Sequence, residues 1–265
     1  MKPEFQNQVI LITGSSQGIG KSLAIHLGIR GAKIGLNGRT LDKLSKTFNE
    51  LKELNIDCLM VPGDVTNYQV CEEIVSRIIK EYGKLDCVVA NGSIMSEASV
   101  MQIKPEVFKT VIDSQILGAV YPVKAALQSL IDSKGYILMI SSLSAFYGLP
   151  RFSSYSMGKI AHKNFAQSLE FEMANTGVNI GVAYVCFTKN ETFKQMILPN
   201  GKLSLLPKRP GRMQHTREAV AKDLARMILK RKRKYTLSFY GKTYGFFARV
   251  FPFVIKIILK RKLPI

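Results

Sequence analysis

Short apolar runs alternate with longer amphipathic segments along the first 188 residues of the chain. The apolar runs predict strands at 8–13, 33–37, 58–62, 86–90, 135–141 and 179–185, and helical spacing is clearest at 18–30, 41–54 and 70–81. Strands that are apolar throughout, with helices between them, are typical of a parallel sheet that is covered on both faces. We therefore predict one α/β domain over residues 1–240. It is a doubly wound, Rossmann-type parallel sheet with helices on both faces and ligands at the carboxyl ends of its strands.

Two later segments depart from this alternation. Residues 189–215 mix turn residues with leucines, which predicts a substrate flap or, equally, a surface excursion packed on the body. Residues 235–240 predict a last strand. Residues 245–262 predict an amphipathic helix in which Arg249, Lys256 and Lys260 share one face.

The charge is concentrated in the C-terminal quarter. Residues 1–200 carry 20 Lys and Arg against 17 Asp and Glu, whereas residues 201–265 carry 18 against 2, for a net charge of +19. Three cations and Pro252 exclude a comfortable membrane span, so we predict that residues 241–265 lie in the interface of an anionic membrane. The alternative is a helix that closes the sheet or forms the interface of a homo-oligomer. Nucleic acid is not an expected partner, because no recognised binding module accompanies the charge.

Composition narrows the class of protein and its compartment. A hydrophobic fraction of 46% with ordinary Gly and Pro content excludes a disordered, collagen-like or coiled-coil chain. The four cysteines and three histidines have no metal-ligand spacing, so we expect no metal site and a reducing compartment. The run at 9–12 is too short for a signal peptide. We expect a cytoplasmic, peripheral membrane protein, at the cytosolic face of the endoplasmic reticulum if the organism is eukaryotic.

A glycine-rich turn, Thr13-Gly-Ser-Ser-Gln-Gly-Ile-Gly20, follows the first predicted strand and opens the first helix. Glycine lets the backbone approach a pyrophosphate, and the helix N-terminus offers free N–H groups and a positive dipole. We predict cofactor contacts at Gly14, Ser16, Gln17, Gly18, Ile19 and Gly20.

The second strand ends in Leu36-Asn-Gly-Arg-Thr40, without the acidic residue that binds the ribose hydroxyls of NAD. Gly38 leaves room there, and the guanidinium of Arg39 suits a ribose phosphate, so we predict NADPH as the cofactor. The alternative is a solvated arginine at the start of a helix.

Candidate chemistry begins where the strand at 135–141 runs into Ser142. Tyr155 and Lys159 follow at positions i and i+4 of one helix face. A phenol, with an ordinary pKa near ~10, becomes an effective acid-base catalyst when a nearby ammonium stabilises its phenolate. Tyr and Lys at this spacing also occur on many surface helices. Combined with the glycine turn, however, they resemble the short-chain dehydrogenase/reductase family over about residues 7–190.

The resemblance implies roles for the residues that match. Ser142 would hold the substrate carbonyl, Tyr155 would deliver the proton, and Lys159 would lower the pKa of the tyrosine and bind the nicotinamide ribose. The fourth catalytic position of the family, an asparagine, is Gln115 here. Glutamine keeps the amide and adds a methylene, so it either still holds the relay water or disturbs it.

The resemblance extends to the cofactor. It implies an adenine contact at Asp64 and Val65, support of the cofactor by Asn91 and a nicotinamide-carboxamide contact at Thr188. The chain departs from the family pattern at Ala90-Asn-Gly-Ser93, where the small residues are permuted, and at Val185-Cys186, which replaces Pro-Gly. Because the serine, tyrosine and lysine are intact, we expect an active NADPH-dependent oxidoreductase.

Within the family, residues 117–122, 178–184 and the region of Thr188 resemble the sphingoid-base reductases. An aliphatic flap and a basic, apolar tail would suit a long-chain 3-oxo substrate, so we predict reduction of 3-ketodihydrosphingosine to dihydrosphingosine. Another lipid or steroid ketone remains an alternative. A hypothesis of another class is a non-catalytic NADPH-binding scaffold at a membrane, with Gln115 marking lost chemistry.

Overall fold

The computed structural model describes residues 4–189, 195–207 and 214–262. Its strands are β1 (Val9–Ile12), β2 (Lys33–Leu36), β3 (Cys58–Met60), β4 (Cys87–Ala90), β5 (Tyr136–Ser142), β6 (Asn179–Val185), β7 (Gln195–Ile197), β8 (Leu203–Leu205) and β9 (Lys234–Thr236). Seven of them form one parallel sheet in the order β3-β2-β1-β4-β5-β6-β9. The doubly wound α/β fold predicted from the sequence is confirmed.

Helices cover both faces of this sheet. They are α1 (Gly18–Gly28), α2 (Leu41–Glu53), α3 (Tyr68–Tyr82), α4 (Pro105–Asp132), α5 (Ser153–Glu172), α6 (Arg217–Leu229), α7 (Phe239–Val250) and α8 (Pro252–Lys262). The two-residue period of a strand divides β1 between two cores: Ile10 and Ile12 pack with α1, α2 and α6, while Val9 and Leu11 pack with α3, α4 and α5. Both faces of each central strand are therefore buried, which explains the continuous apolar runs.

The strand order creates a crevice. The chain leaves β1 for β2 on one side and returns to β4 on the other, so the connections diverge at the carboxyl ends of β1 and β4. Such a switch point is where open α/β sheets bind ligands.

The predicted flap is only partly described, because residues 190–194 and 208–213 lie outside the described residues. Residues 195–205 form an antiparallel hairpin of β7 and β8. A bridge between Ser96 and Ile197 attaches this hairpin to the body, and a second bridge joins Thr188 to His215.

The C-terminal region differs from the prediction in two respects. Strand β9 ends at Thr236 and α7 begins at Phe239, within the predicted strand at 235–240 and just before the predicted start of the tail at 241. Helix α7 starts there because the Ser238 hydroxyl accepts a hydrogen bond from the Gly241 N–H, at 3.1 Å, as an N-cap.

The single helix predicted over 245–262 is two helices that meet at Phe251. Pro252 disfavours helical backbone in the residue before it, so α7 ends and α8 begins at the proline. Arg249 therefore lies on a different helix from Lys256 and Lys260, and the prediction of one shared face was wrong. Within the described residues, no helix is both long enough and apolar enough to cross a membrane.

Candidate active site

A cavity of about 540 Å³ lies at the carboxyl ends of the parallel strands. It brings together most of the residues predicted from the sequence. Those that line it are Gly14, Ser16, Gln17, Gly18, Ile19, Arg39, Asp64, Val65, Asn91, Ser142, Tyr155, Lys159 and Thr188. Two predicted residues, Gly20 and Gln115, are not part of the lining.

The glycine turn forms one end of the cavity. Gly14 has φ +60°, and a Cβ atom there would lie 2.5 Å from the Cα of Gly92, so both the conformation and the space require glycine. Helix α1 begins at Gly18, where its first N–H groups and its dipole favour an anion. Gly20 serves packing instead, because a Cβ atom there would lie 2.6 Å from the Gly14 carbonyl oxygen.

Asn91 holds this turn in place. Its Nδ2 donates hydrogen bonds to the carbonyl oxygens of Thr13, at 2.9 Å, and Gly14, at 3.1 Å, and its backbone N–H donates to the Thr13 hydroxyl. The permuted sequence at 90–93 places Gly92 against the turn, where a Cβ atom would lie 3.2 Å from the Gly14 nitrogen. The permutation therefore preserves the close approach of β4 to the turn.

The adenosine end of the cavity carries a fixed guanidinium. Arg39 Nη1 lies 3.4 Å from Asp64 Oδ2, and both side chains are partly exposed. Burial alone would raise the pKa of Asp64. However, hydrogen bonds from the Thr66 N–H and hydroxyl, together with Arg39, hold that pKa below its usual value. Asp64 therefore stays ionised and orients Arg39 at the cavity rim.

Sequence reasoning missed a second cation at this end. Lys43, in the first turn of α2, lines the cavity and donates to Gln195 Oε1 on β7 at 3.4 Å. Its position four residues after Arg39 was the available signal. Asp64 is the one carboxylate among the described residues that line the cavity. This end of the site therefore suits an additional phosphate better than a free ribose hydroxyl.

Helix α5 presents Tyr155 and Lys159 at the other end. Lys159 is buried, and its Nζ donates to the Ile140 carbonyl oxygen at 2.9 Å and lies 5.6 Å from the centre of the Tyr155 ring. The hydroxyl of Ser141 donates to the Lys159 carbonyl oxygen at 2.7 Å. These two hydrogen bonds fix α5 on β5, which ends at Ser142. A hydroxyl, a phenol and an ammonium thus line one end of the cavity, and an anion-binding turn lines the other.

Gln115 is fully buried, and its side chain faces away from the cavity. Its Nε2 donates to the Ile94 carbonyl oxygen at 2.6 Å, and its Oε1 accepts no hydrogen bond within the described part of the chain. The side chain occupies the space beside Gly158, where a Cβ atom would overlap the Cβ of Gln115. The extra methylene has therefore moved the amide into contact with the loop after β4.

His162 was missed by sequence reasoning. It is buried between α4 and β5, with Nε2 at 2.7 Å from the Gln115 carbonyl oxygen and Nδ1 at 3.2 Å from the Ile140 oxygen that also binds Lys159. Burial, followed by the charge of Lys159, lowers the pKa of His162 to about 3. The imidazole is therefore neutral, and the shorter distance assigns its proton to Nε2. Its place three residues after Lys159, on the same helix, was the only signal.

Helix α7 packs on the wall of the cavity. Cys186, which lines the cavity after β6, donates from Sγ to the Leu237 carbonyl oxygen at 2.7 Å, just before α7. A Cβ atom at Gly241 would lie 2.6 Å from that sulfur, and one at Gly245 would lie 3.0 Å from the Phe146 ring. The small residues of α7 thus allow the helix to approach the site closely.

The sequence model of the family described as short chain dehydrogenase matches residues 8–198. The chain belongs to this family. An uncharacterised oxidoreductase of Listeria innocua is 33% identical over 181 residues, which cover 68% of this chain and 73% of the relative. One of Myxococcus xanthus is 31% identical over 189 residues, which cover 71% of this chain and 75% of the relative. The protein is an oxidoreductase of the short-chain dehydrogenase family, whose members use NAD(P).

Solved structures share the fold. An alcohol dehydrogenase from the archaeon Thermococcus sibiricus, complexed with 5-hydroxy-NADP, superposes with a TM-score of 0.75 at 24% identity, covering 87% of this chain and 95% of that one. A metagenomic short-chain oxidoreductase in complex with NADP gives a TM-score of 0.72 at 17% identity, covering 88% and 98%.

Proposed function

We propose that this short-chain dehydrogenase reduces a lipid ketone with NADPH, most specifically 3-ketodihydrosphingosine to dihydrosphingosine. The observation that carries the lipid assignment is the hairpin of β7 and β8. Leu203 and Leu206, in and just after β8, line the cavity, while Leu203 and Leu205 are more than half exposed. An alkyl chain that leaves the site along this hairpin would cover leucines that water now contacts.

The opposite wall of the same cavity is also apolar. Met95, Leu143, Leu149 and Phe187 line it together with the residues of the catalytic end. A carbonyl beside Tyr155 would therefore have hydrocarbon-binding surface on both sides, which suits a ketone placed near the head of a long chain. The choice of a sphingoid ketone over another lipid or a steroid ketone rests on the local sequence resemblance alone.

The geometry supports protonation by this chain's own residues. When bound, NADPH supplies a hydride to the carbonyl carbon. Tyr155 then donates its phenolic proton to the oxygen, and the Ser142 hydroxyl donates a hydrogen bond to the same oxygen. Lys159, fixed by the Ile140 carbonyl at 2.9 Å, holds its charge near the tyrosine ring. The product is the alcohol, with one hydride on carbon and one proton on oxygen.

The preference for NADPH rests on the charges at the end of β2. Arg39 and Lys43 line the cavity there, and Gly38 keeps the approach open. The two solved structures similar in fold were obtained with NADP or its 5-hydroxy derivative, which supports the same assignment.

A candidate of another class is a non-catalytic NADPH-binding scaffold at a membrane. The observation that favours it is Gln115, whose amide binds the Ile94 carbonyl instead of facing the cavity.

A turnover assay distinguishes the two. NADPH oxidation is measured with 3-ketodihydrosphingosine, with an unrelated long-chain ketone and with a steroid ketone, all in detergent. We expect turnover that Tyr155→Phe lowers by about 10³-fold, because it removes the general acid. Tyr121→Phe, on α4 against Tyr68, is the matched control and should stay near wild type. NADPH binding without turnover on any ketone above the Tyr155→Phe level would overturn the reductase proposal in favour of the scaffold.

A further inference from the structure

Four phenylalanines form a cluster where α7 meets α8. Phe246, Phe247, Phe251 and Phe253, which we call the phenylalanine corner, have neighbouring ring centres 5.7 to 6.3 Å apart. Every one of these side chains is exposed, from 38% for Phe247 to 60% for Phe253. Val250, Ile257 and Ile258 extend the exposed apolar surface along the two helices. A contiguous aromatic patch of this kind marks an interaction surface.

The packing of α7 fixes which face points outward. Gly241, Gly245 and Ala248, spaced four and three residues apart, are buried against the body. The small residues have already taken the inward face, so the phenylalanines cannot turn in without lifting the helix from Phe146 and Cys186. Their exposure follows from the fold.

The charge around this patch has one sign. Lys242, Arg249, Lys256, Lys260 and Arg261 are exposed and form no ion pair within the described part of the chain. The sequence contains no Asp or Glu after Asp223. A second copy of the chain docked on this face would bring like charges together, whereas an anionic surface would neutralise them.

We propose that the α7–α8 hairpin is a docking surface for an anionic lipid bilayer. The phenylalanine corner enters the interfacial region of the bilayer, and the surrounding cations contact the lipid head groups. Helices of 12 and 11 residues that do not span a membrane suit this shallow position. The proposal goes beyond the reductase activity, since it requires no particular ketone and no turnover.

Docking in this way also places the cavity beside the bilayer. The buried face of α7 contacts Leu143 and Cys186, and both of these residues line the cavity. The thickness of one helix, roughly 10 Å, then separates the lipid surface from the site. A ketone dissolved in the membrane would have a short path to Tyr155.

The test uses the full-length protein and co-sedimentation with phosphatidylcholine vesicles that contain or lack phosphatidylserine. Phe246→Gln/Phe253→Gln should lower binding to the phosphatidylserine vesicles by roughly 10- to 100-fold, because it removes two aromatic anchors. The matched control is Phe171→Gln, which replaces an 83% exposed phenylalanine on α5 and should leave binding unchanged. Thermal unfolding and NADPH binding confirm that every variant is folded.

A charge variant tests the second component. Lys256→Gln/Lys260→Gln should weaken binding to phosphatidylserine vesicles and reduce its dependence on salt, with little change on neutral vesicles. Failure of the wild type to sediment, or equal sedimentation of the phenylalanine double variant, overturns the proposal. So does a wild-type dimer that the double variant dissociates without any vesicle binding, which would assign the face to a second copy. None of these readouts depends on ketone reduction, so each failure is separate from failure of the reductase proposal.

Discussion

The protein presents positive charge to its surroundings at two places, and the two are built differently. At the adenosine end of the cavity, Arg39 is held by Asp64 at 3.4 Å beside a glycine, with Lys43 nearby. On the α7–α8 hairpin, exposed lysines and arginines surround the phenylalanine corner, and no carboxylate in the described part of that region orients them. The first arrangement recognises one phosphate by geometry, whereas the second attracts any anionic surface by composition.

This difference determines what substitution should do. Recognition by geometry depends on single residues, so one change at Arg39 should be decisive. Adsorption by composition is spread over many side chains, so single changes on the hairpin should have small effects and only combined changes should be informative.

Arg39→Ala should break the comparison on the cavity side with the largest effect. We expect the wild type to bind NADPH more tightly than NADH. The variant should lose most of that gap, about 10- to 100-fold, because a charge-assisted contact contributes 1–3 kcal/mol. Fluorescence titration with both cofactors measures the effect. Arg226→Ala, an exposed arginine on α6, is the control. Vesicle binding should not change in either variant, and equal cofactor affinities in the wild type would contradict the NADPH assignment.

Gly241→Val tests how firmly the two regions are joined. The added Cβ would lie 2.6 Å from the Cys186 sulfur, with Leu143 and Thr236 close by, so α7 must shift. Overpacking of this kind lowers the free energy of unfolding by about 1–3 kcal/mol. It should also alter the KM for the ketone, because Cys186 and Leu143 line the cavity.

Urea unfolding checks this prediction. Gly148→Val is the matched control, since a Cβ atom at Gly148 would have nothing within 4 Å. If both valine variants unfold at the same urea concentration, α7 does not pack on the cavity wall as described.

His162 concerns the stability of the body alone, with the smallest effect. Its pKa is lowered to about 3 in the folded protein, so the unfolded chain binds the proton more readily at any pH between about 6.5 and 3. The stabilisation from the neutral histidine is therefore present above about pH 6.5. It decreases as the pH falls, by up to about 1.4 kcal/mol per pH unit.

His162→Gln should remove this part of the pH dependence, which urea unfolding between pH 7.5 and 4 measures. His26→Gln is the control, because the pKa of His26 is lowered by a burial that is only partial. A slope in His162→Gln identical to that of the wild type would contradict a neutral buried imidazole. Vesicle binding at pH 7.5 should be the same in all three proteins.

The fold was predictable because central strands of a parallel sheet are buried on both sides. The run at 179–185 coincides with β6, and the glycine turn correctly located the switch between β1 and β4. The prediction failed after β9, since Phe239 and Tyr240 have the composition of a strand while the Ser238 cap starts a helix. Pro252 carried the signal for the break between α7 and α8, but the sequence analysis used it only to exclude a membrane span.

The site was predictable only where a residue lies in a recognisable local pattern. Tyr155, Lys159 and the turn at 13–20 are such cases, and the structure brings them to one cavity. His162 and the direction of the Gln115 amide are not, because they depend on how α4 packs on α5. The contact between His162 and the Gln115 carbonyl joins residues 47 positions apart in the chain. No local pattern reports such a contact.

The meeting of Gln115 and Gly158 has a consequence for the variation that this fold can tolerate. Because a Cβ atom at Gly158 would overlap the side chain of Gln115, the two positions cannot change independently. A relative that carries alanine or serine at 158 must have a smaller or differently directed residue at 115. A relative with glutamine at 115 must keep glycine at 158. The pair should therefore covary among homologues, and an exchange between lineages would require two simultaneous replacements to avoid a poorly packed intermediate.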